Sequence, residues 1–217
     1  MIERHQTALS RPALSRPLRL AFEDGLVNGE TDVFDYGCGR GDDLRYLAER
    51  GIRCRGWDPA YRPNEKRGDS DIVNLGYVVN VIEDVGERAS ALQNAWRLAR
   101  RLLVVASRLE IEADGDVGPI YGDGYLTRRR TFQKFFTQQE LREWIDQTLG
   151  VSSVAAGPGV FYVFRDPGLR ETFVASRYRR RTAAPRIRKS DVLFQQHQDL
   201  LEPLIQGRCG NAVLAAQ

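Results

Sequence analysis

The residues best suited to chemistry lie in one glycine-rich segment that follows a predicted strand. Residues 33–43 read VFDYGCGRGDD and place Gly37, Gly39 and Gly41 at alternate positions. Glycine lets the backbone turn tightly and lets a ligand approach it closely. Because ligands of open α/β sheets bind beyond the carboxyl ends of the strands, we predict that this loop contacts a ligand.

The acids around the loop indicate the charge of that ligand. The spacing G-x-G-x-G departs from the G-x-G-x-x-G fingerprint of dinucleotide sites. Asp42 and Asp43 stand at the start of a predicted helix, where they would repel a diphosphate. Together with Asp35 they favour a cationic ligand without phosphate. S-adenosylmethionine, which carries a sulfonium and an ammonium group, has this chemistry.

A further acid, Asp58, ends the second predicted strand in the sequence GWDP of residues 56–59. A carboxylate at this position can accept hydrogen bonds from both ribose hydroxyls of a nucleoside. We therefore interpret Asp35 and Asp58 as cofactor-binding residues. The alternative is that both carboxylates only cap turns.

Composition limits the classes of protein to which the chain can belong. Its 217 residues are 42% hydrophobic and 28% charged, with a net charge of +3. No apolar run reaches the ~18 residues of a membrane span, and the start of the chain lacks a secretory signal, so we expect a cytoplasmic protein without membrane contact. Three separated cysteines and two histidines predict neither a metal site nor a Cys/His or Ser/His/Asp hydrolase.

The elements that must position these residues alternate between strands and helices. This alternation predicts an α/β fold in which helices cover both faces of a mostly parallel sheet. Residues 110–124 are predicted to form a loop. Strands are predicted at 31–36, 52–57, the start of 71–82 and 102–106, helices at 42–50, 87–101 and after the capping box TQQE of 137–140, and a hairpin at 151–164.

The chain resembles the class I S-adenosylmethionine-dependent methyltransferases over roughly residues 30–165, through FDYGCGRG, GWDP, DIVNLGYVVNVIED and LLVVAS. The resemblance implies a Rossmann-like methyltransferase fold with a mostly parallel, seven-stranded sheet and a C-terminal antiparallel hairpin. It also implies S-adenosylmethionine as the cofactor. The implied cofactor-binding residues are Asp35, Tyr36, Gly37, Cys38, Gly39, Gly41, Asp58, Pro59, Leu75 and Gly76.

A narrower resemblance covers most of residues 4–181. The segments RHQTALSRPALSRPLRLAFEDG, LTRRRTFQKFFTQQELREWI and FYVFRD followed by ASRYRRR are similar to the DNA phosphorothioation-associated methyltransferase family. This resemblance implies a role in DNA modification or restriction, with other DNA-modification proteins as partners.

Methyl transfer needs few dedicated catalytic groups, because the protein mainly orients the reactants and excludes water. The Asn/Asp-Pro-Pro-Tyr/Phe motif of amino-directed DNA methyltransferases is missing, since Asn74-Leu-Gly-Tyr77 lacks both prolines. We predict that Tyr77, Asn80 and Asp84 face the methyl acceptor. The alternatives are a core position, a helix cap and a surface turn, respectively.

Two basic clusters suggest a polyanionic partner, and we predict that they bind DNA. The alternatives are a core role for the three phenylalanines among the first cluster and a solvated chain end for the second. Residues 177–217 hold eight Lys/Arg and three acids. The predicted DNA-binding residues are Arg128, Arg129, Arg130 and Lys134 in the first cluster, and Arg177, Arg179, Arg180 and Arg181 in the second.

The chain is thus predicted to have an N-terminal extension with a helix at 1–30, a methyltransferase domain at 31–176 and a basic tail at 177–217, interpreted as the start of a truncated second region. The leading hypothesis is a methyltransferase that acts on DNA or a nucleic-acid-linked substrate. One alternative is a non-catalytic module that binds DNA or a partner protein. Another is a small-molecule or tRNA methyltransferase.

Overall fold

The main sheet of the computed structural model has six strands in the order β2-β1-β3-β4-β9-β8. The structure describes residues 2, 4–8, 10–113 and 118–183, without the side chains of residues 5 and 178–183. Helices are α1 (Arg16–Glu23), α2 (Asp42–Ala48), α3 (Val85–Leu98), α4 (Gln138–Leu149) and α5 (Pro167–Ala183). Strands are β1 (Asp32–Tyr36), β2 (Arg53–Trp57), β3 (Ser70–Gly76), β4 (Ala99–Ala106), β5 (Ile120–Tyr121), β6 (Gly124–Leu126), β7 (Phe132–Gln133), β8 (Val154–Gly157) and β9 (Val160–Phe164).

The predicted α/β fold with a mostly parallel sheet is confirmed. Strands β1, β2, β3 and β4 pair in parallel, while β9 pairs antiparallel with both β4 and β8. The connection from β1 to β2 runs in one direction along the sheet and that from β3 to β4 in the other, so right-handed crossovers put α2 and α3 on opposite faces. The carboxyl ends of β1, β2 and β3 therefore meet at one edge.

The prediction of seven strands is wrong for the main sheet, which has six within the described residues. Residues 58–69 connect β2 to β3 and contribute only an isolated bridge between Asp58 and Arg62. This connection is polar, and it contains Pro63 and Gly68, residues that disfavour a buried strand. Residues 58–69 therefore do not form a seventh strand, and β2 is an edge strand of the main sheet.

A second, antiparallel sheet of three short strands has the order β5-β6-β7. The prediction that residues 110–124 form a loop is therefore wrong at Ile120–Tyr121, which form β5, and at Gly124, where β6 begins. The buried Arg88 of α3 ties this sheet down, because its guanidinium donates to both carboxylate oxygens of Asp123 at 2.7 and 3.0 Å. It also donates to the carbonyl of Ile82.

The hydrophobic core lies between the main sheet and helices α3 and α4. Val73, Leu75 and Leu103 of the sheet are fully buried against Leu92 of α3 and Leu141 of α4. Helix α4 begins as predicted, since the Thr137 side chain accepts from the Glu140 N–H at 3.0 Å in a capping box. The core thus fixes the strands whose ends carry the glycine loop and Asp58 at one edge of the sheet.

The chain divides into two compact units, residues 1–171 and 172–217. Of the second unit the structure describes 172–183, which continue α5. No helix in the described ranges combines the length and apolarity that crossing a bilayer requires. Among the same residues, no group of His, Cys, Asp and Glu side chains is arranged to hold a metal ion.

Candidate functional site

A cavity of about 390 Å³ lies at the edge where β1, β2 and β3 end. This volume falls in the range of small-molecule sites. The glycine loop between β1 and α2, the residues after β2 and the residues after β3 all contribute to its wall. The cavity is therefore where the sequence predicted a ligand.

The glycine loop is held against the end of β2 by its backbone. The N–H groups of Gly37 and Cys38 donate to the carbonyl of Trp57 at 2.8 and 3.1 Å. Gly37 has a φ of 86°, and a Cβ atom added there would collide with Cγ2 of Val78. Glycine at this position is thus required both by the backbone conformation and by the close approach of Val78.

The carboxylate of Asp58 joins the two strand ends. Its Oδ2 accepts from Gly39 N–H at 3.0 Å, and its Oδ1 accepts from the N–H groups of Ala60 and Tyr61 at 2.9 and 3.0 Å. A carboxylate oxygen offers about two lone pairs, so Oδ1 is fully used. Asp58 lines the cavity with one acceptor position left, on Oδ2.

Asp35 and Asn74 form a buried polar pair between the neighbouring strands β1 and β3. Asn74 Nδ2 donates to Asp35 Oδ1 at 2.7 Å, and both residues line the cavity. Burial, followed by the negative charge of Asp43, raises the pKa of the Asp35 carboxyl to about 7. Asn74 is 1% exposed, yet its Oδ1 has no hydrogen-bond partner among the described residues.

Asp42 and Asp43 bind the N-terminal segment, which we define as residues 4–8 and 10–15. Asp42 Oδ2 accepts from Arg11 N–H and Asp43 Oδ1 from Ser15 N–H, both at 2.7 Å. The sequence suggested that these acids face a cationic ligand. Both acids line the cavity, and they also anchor a chain segment that itself forms part of the cavity wall.

The contribution of the N-terminal segment to the cavity was missed by sequence reasoning. Arg4, Thr7, Ala8 and Arg11 line the cavity, and Arg4 is ion-paired with Glu83 and Glu87 at 2.8 and 2.6 Å. The residues that contact this segment, such as Asp42, Glu83 and Glu87, lie more than thirty positions away from their partners in the sequence, so no local pattern predicts these contacts. The arginines before α1 were the only feature of the sequence that suggested a binding role for the N-terminal segment.

Most of the predicted cofactor residues lie at the cavity, and two do not. Gly41 begins α2 with a φ of 84° and lies against Arg62, while Leu75 is fully buried in the core. Burial, followed by the charge of Asp35, raises the pKa of the Cys38 thiol to about 12. The predicted residues that line the cavity are Asp35, Tyr36, Gly37, Cys38, Gly39, Asp58, Pro59 and Gly76.

The cavity continues as a slot between α3 and the connection from β2 to β3. The rings of Tyr36 and Trp57 lie 5.2 Å apart at their centroids, and the Arg67 guanidinium lies 4.7 Å from the Trp57 ring centroid. Ser90 and Asn94 line the slot from α3. Aromatic surface with polar groups nearby suits a planar heterocycle.

The three residues predicted to face an acceptor occupy different environments. Tyr77 lines the cavity with a φ of 61°, and the Arg11 guanidinium lies 5.4 Å from its ring centroid. Asn80 is buried outside the cavity wall, and its carbonyl accepts from Lys134 N–H at 2.8 Å. Asp84 caps α3 by accepting from Glu87 N–H at 2.6 Å.

The first predicted DNA-binding cluster is divided by the structure. Arg128, Arg129 and Arg130 are exposed on the turn between β6 and β7, away from the cavity wall. Lys134 is 11% exposed and ion-paired with Asp123 at 3.4 Å and Glu140 at 2.8 Å. Its ammonium group is thereby committed to internal partners.

The neighbouring phenylalanines of this cluster serve the core. Phe132 and Phe136 are 0% and 1% exposed, and Phe135 is half-buried. In the second cluster, the Arg177 guanidinium lies 5.5 Å from the Phe173 ring centroid. The side chains of Arg179, Arg180 and Arg181 fall outside the described residues.

Comparison with known proteins gives structural resemblance only. No protein-family profile and no curated protein matches the chain. An amino pentose methyltransferase of calicheamicin biosynthesis from Micromonospora echinaspora, solved with bound S-adenosylmethionine, is 17% identical, with 76% of this chain and 92% of that one covered and a TM-score of 0.47. A sugar N-methyltransferase from Streptoalloteichus sp. is 15% identical, with coverages of 75% and 86% and a TM-score of 0.48.

A further solved structure, an S-adenosylmethionine-dependent methyltransferase from Aquifex aeolicus, is 16% identical, with coverages of 76% and 98% and a TM-score of 0.46. At these identities and scores the resemblance carries no conclusion about activity. The function proposed below therefore rests on the residues of the cavity.

Proposed function

We propose that this chain is a methyltransferase that uses S-adenosylmethionine as its methyl donor. The observation that carries the proposal is the meeting of the glycine loop with the Asp58 carboxylate at one cavity, through the 3.0 Å hydrogen bond from Gly39 N–H. A glycine-rich backbone loop beside an acid at the end of the next parallel strand is an arrangement that binds nucleosides.

The polar groups of the cavity fit this cofactor. The Asp35 carboxyl, which is held by Asn74 Nδ2, offers an acceptor to an ammonium group. The remaining position on Asp58 Oδ2 would accept from a ribose hydroxyl, and Trp57 in the slot would contact an adenine ring. Asp42 disfavours a diphosphate at the start of α2.

The chemistry asks the protein to orient two reactants in line and to exclude water. When bound, S-adenosylmethionine would supply an electrophilic methyl group. We propose Tyr77 as the lining residue that faces the acceptor, since non-glycine residues with positive φ concentrate at functional sites. Burial raises the pKa of Tyr77, so its hydroxyl keeps its proton at neutral pH and can donate a hydrogen bond.

DNA is the acceptor that we propose for this reaction. The proposal is supported by the sequence resemblance to the phosphorothioation-associated family and by three adjacent exposed arginines, Arg128, Arg129 and Arg130. Phosphate contacts of this kind position a protein on DNA without reading its sequence. A small-molecule acceptor is the competing outcome.

Calorimetry with S-adenosylhomocysteine and methyl transfer from radiolabelled S-adenosylmethionine test the two steps separately. We expect saturable binding in the micromolar range and label incorporated into duplex DNA. Absence of any binding would refute the methyltransferase proposal. Binding without label in DNA, but with label in a small-molecule pool, would refute DNA as the acceptor and retain the cofactor.

A further inference from the structure

Arg11 is held at the cavity by its own backbone. Its N–H donates to Asp42 Oδ2 at 2.7 Å, and its carbonyl accepts from the Tyr46 hydroxyl at 3.1 Å. Four residues later, Ser15 N–H donates to the buried Asp43 at 2.7 Å. Helix α2 therefore fixes the point from which the Arg11 side chain extends.

The Arg11 guanidinium retains donors for a ligand. Its Nη1 lies 3.5 Å from Asp43 Oδ2, and the side chain is 39% exposed while it lines the cavity. Among the described residues, the guanidinium has no ion pair with any other carboxylate and no side-chain hydrogen bond. Because a guanidinium has five N–H donors, several remain available.

Hydrogen-bond acceptors lie at the same end of the cavity as the positively charged Arg11 guanidinium. Asp35 and Asn74 line it beside the glycine loop, and Asn74 Oδ1 is buried and unpartnered. The charge of Arg11 lowers the pKa of Asp35 against the larger effect of burial, which places the two groups within electrostatic reach. The Arg11 guanidinium and the Asp35 carboxyl are complementary to adjacent carboxylate and ammonium groups of a ligand.

We infer that Arg11 binds the α-carboxylate of the cofactor's amino-acid end, while the Asp35 carboxyl, which Asn74 Nδ2 holds in place, accepts from its α-ammonium group. The inference rests on the proposed function and adds to it a cofactor-binding residue supplied by the N-terminal segment. Arginine suits this role because its planar fork matches a carboxylate with two parallel hydrogen bonds.

Three ligands separate the contributions of the two charged groups. S-adenosylhomocysteine carries both, its decarboxylated analogue carries only the amine, and 5′-methylthioadenosine carries neither. By calorimetry we expect the wild-type protein to bind S-adenosylhomocysteine about 10- to 100-fold more tightly than the decarboxylated analogue, as charge-assisted hydrogen bonds warrant. Arg11→Gln should abolish this preference and leave the affinity for 5′-methylthioadenosine unchanged.

The controls distinguish ligand binding from a structural role. Arg45→Gln removes an exposed arginine that pairs with Asp42 at 3.3 Å outside the cavity, and it should keep the wild-type preference. Arg11→Lys should keep part of the preference for S-adenosylhomocysteine, since the lysine ammonium keeps the positive charge but lacks the planar guanidinium that bonds a carboxylate through two N–H groups. If Arg11→Gln does not fold, the test uses the ratio of affinities for S-adenosylhomocysteine and its decarboxylated analogue, measured for the wild-type protein and for Arg11→Lys.

The outcomes are separable from those of the proposed function. Failure of the wild-type protein to bind S-adenosylhomocysteine would remove the proposed function itself. If the wild-type protein binds the first two ligands equally, or if Arg11→Gln weakens all three by the same factor, the cofactor remains and the role of Arg11 is overturned.

Discussion

Asp58 accepts a hydrogen bond from Gly39 N–H at 3.0 Å, so the acid at the end of β2 fixes the glycine loop at the end of β1. The same carboxylate also closes the turn after β2 through Ala60 and Tyr61. One side chain thus organises two sides of the cavity. Removing the half-buried Asp58 carboxylate should therefore affect ligand binding more than removing an exposed acid of the same connection.

We predict that Asp58→Ala weakens binding of S-adenosylhomocysteine about 10- to 100-fold, because it removes charge-assisted hydrogen bonds to the loop and to the ligand. Calorimetry measures this change. Asp69→Ala, an exposed acid of the same connection, is the matched control and should bind as the wild type does. Equal affinities for wild type and Asp58→Ala would contradict the proposed ribose contact.

Asp35 should make stability depend on pH. Its pKa rises from an ordinary value of about 4 to about 7 in the folded protein. Between these values the folded protein holds a proton that the unfolded chain has released, so stability falls as pH rises through this window.

Urea denaturation at pH 5 and pH 8 checks this dependence. The loss of stability between the two pH values should be smaller for Asp35→Asn than for the wild type. The asparagine retains an acceptor for Asn74 Nδ2, and all other titrating groups are shared, so the difference isolates Asp35. Parallel losses in the two proteins would show that its ionisation is not coupled to folding.

Gly37→Ala should be more destabilising than an alanine at an open turn. Both Gly37 and Gly51 have positive φ, 86° and 71°, but an added Cβ meets Val78 at the first position and nothing within 4 Å at the second. We expect Gly51→Ala to cost about 1–2 kcal/mol for the backbone, and Gly37→Ala to cost ~1–3 kcal/mol more for the collision. Thermal or urea unfolding of both variants measures the difference, and equal costs would contradict it.

The two parts of the first basic cluster should respond differently to substitution. The combined variant Arg128→Gln, Arg129→Gln and Arg130→Gln should lower the salt dependence of duplex binding, with a slope smaller by about 3 if each arginine meets one phosphate. Lys134→Gln should leave that slope unchanged and lower the unfolding free energy by about 1–3 kcal/mol, because the largely buried Lys134 side chain pairs with Asp123 and Glu140 of the same chain. An unchanged slope in the triple variant would remove this turn from the DNA interface.

Local patterns predicted the elements that carry the site, and long-range contacts decided the rest. The strand before Gly37 and the capping box at Thr137 are encoded within a few residues, so they were found from the sequence. Helix α3 and β4 meet at Leu98 and Ala99, three residues earlier than predicted. Residues 96–103 read WRLARRLL, without Gly or Pro, so this junction gives no local stop signal.

The residues of the cavity wall also divide into those that a local pattern predicts and those that long-range contacts bring to the site. The glycine loop and Asp58 form a recognisable motif, whereas Arg11 and Asn74 enter through contacts that no local pattern marks. Two-residue strands such as β5 and β7 show too little alternation to be recognised. Asp123, in the turn between β5 and β6, bonds to Arg88 of α3, a long-range contact that no local pattern marks.

The protonated thiol of Cys38 has a consequence for self-modification. Only the thiolate is a strong nucleophile, and a thiol pKa of about 12 leaves almost no thiolate at neutral pH. A methyl sulfonium held in the cavity would therefore meet a sulfur that does not attack it. If S-adenosylmethionine binds as proposed, its methyl group would be kept beside Cys38 without being transferred to that sulfur.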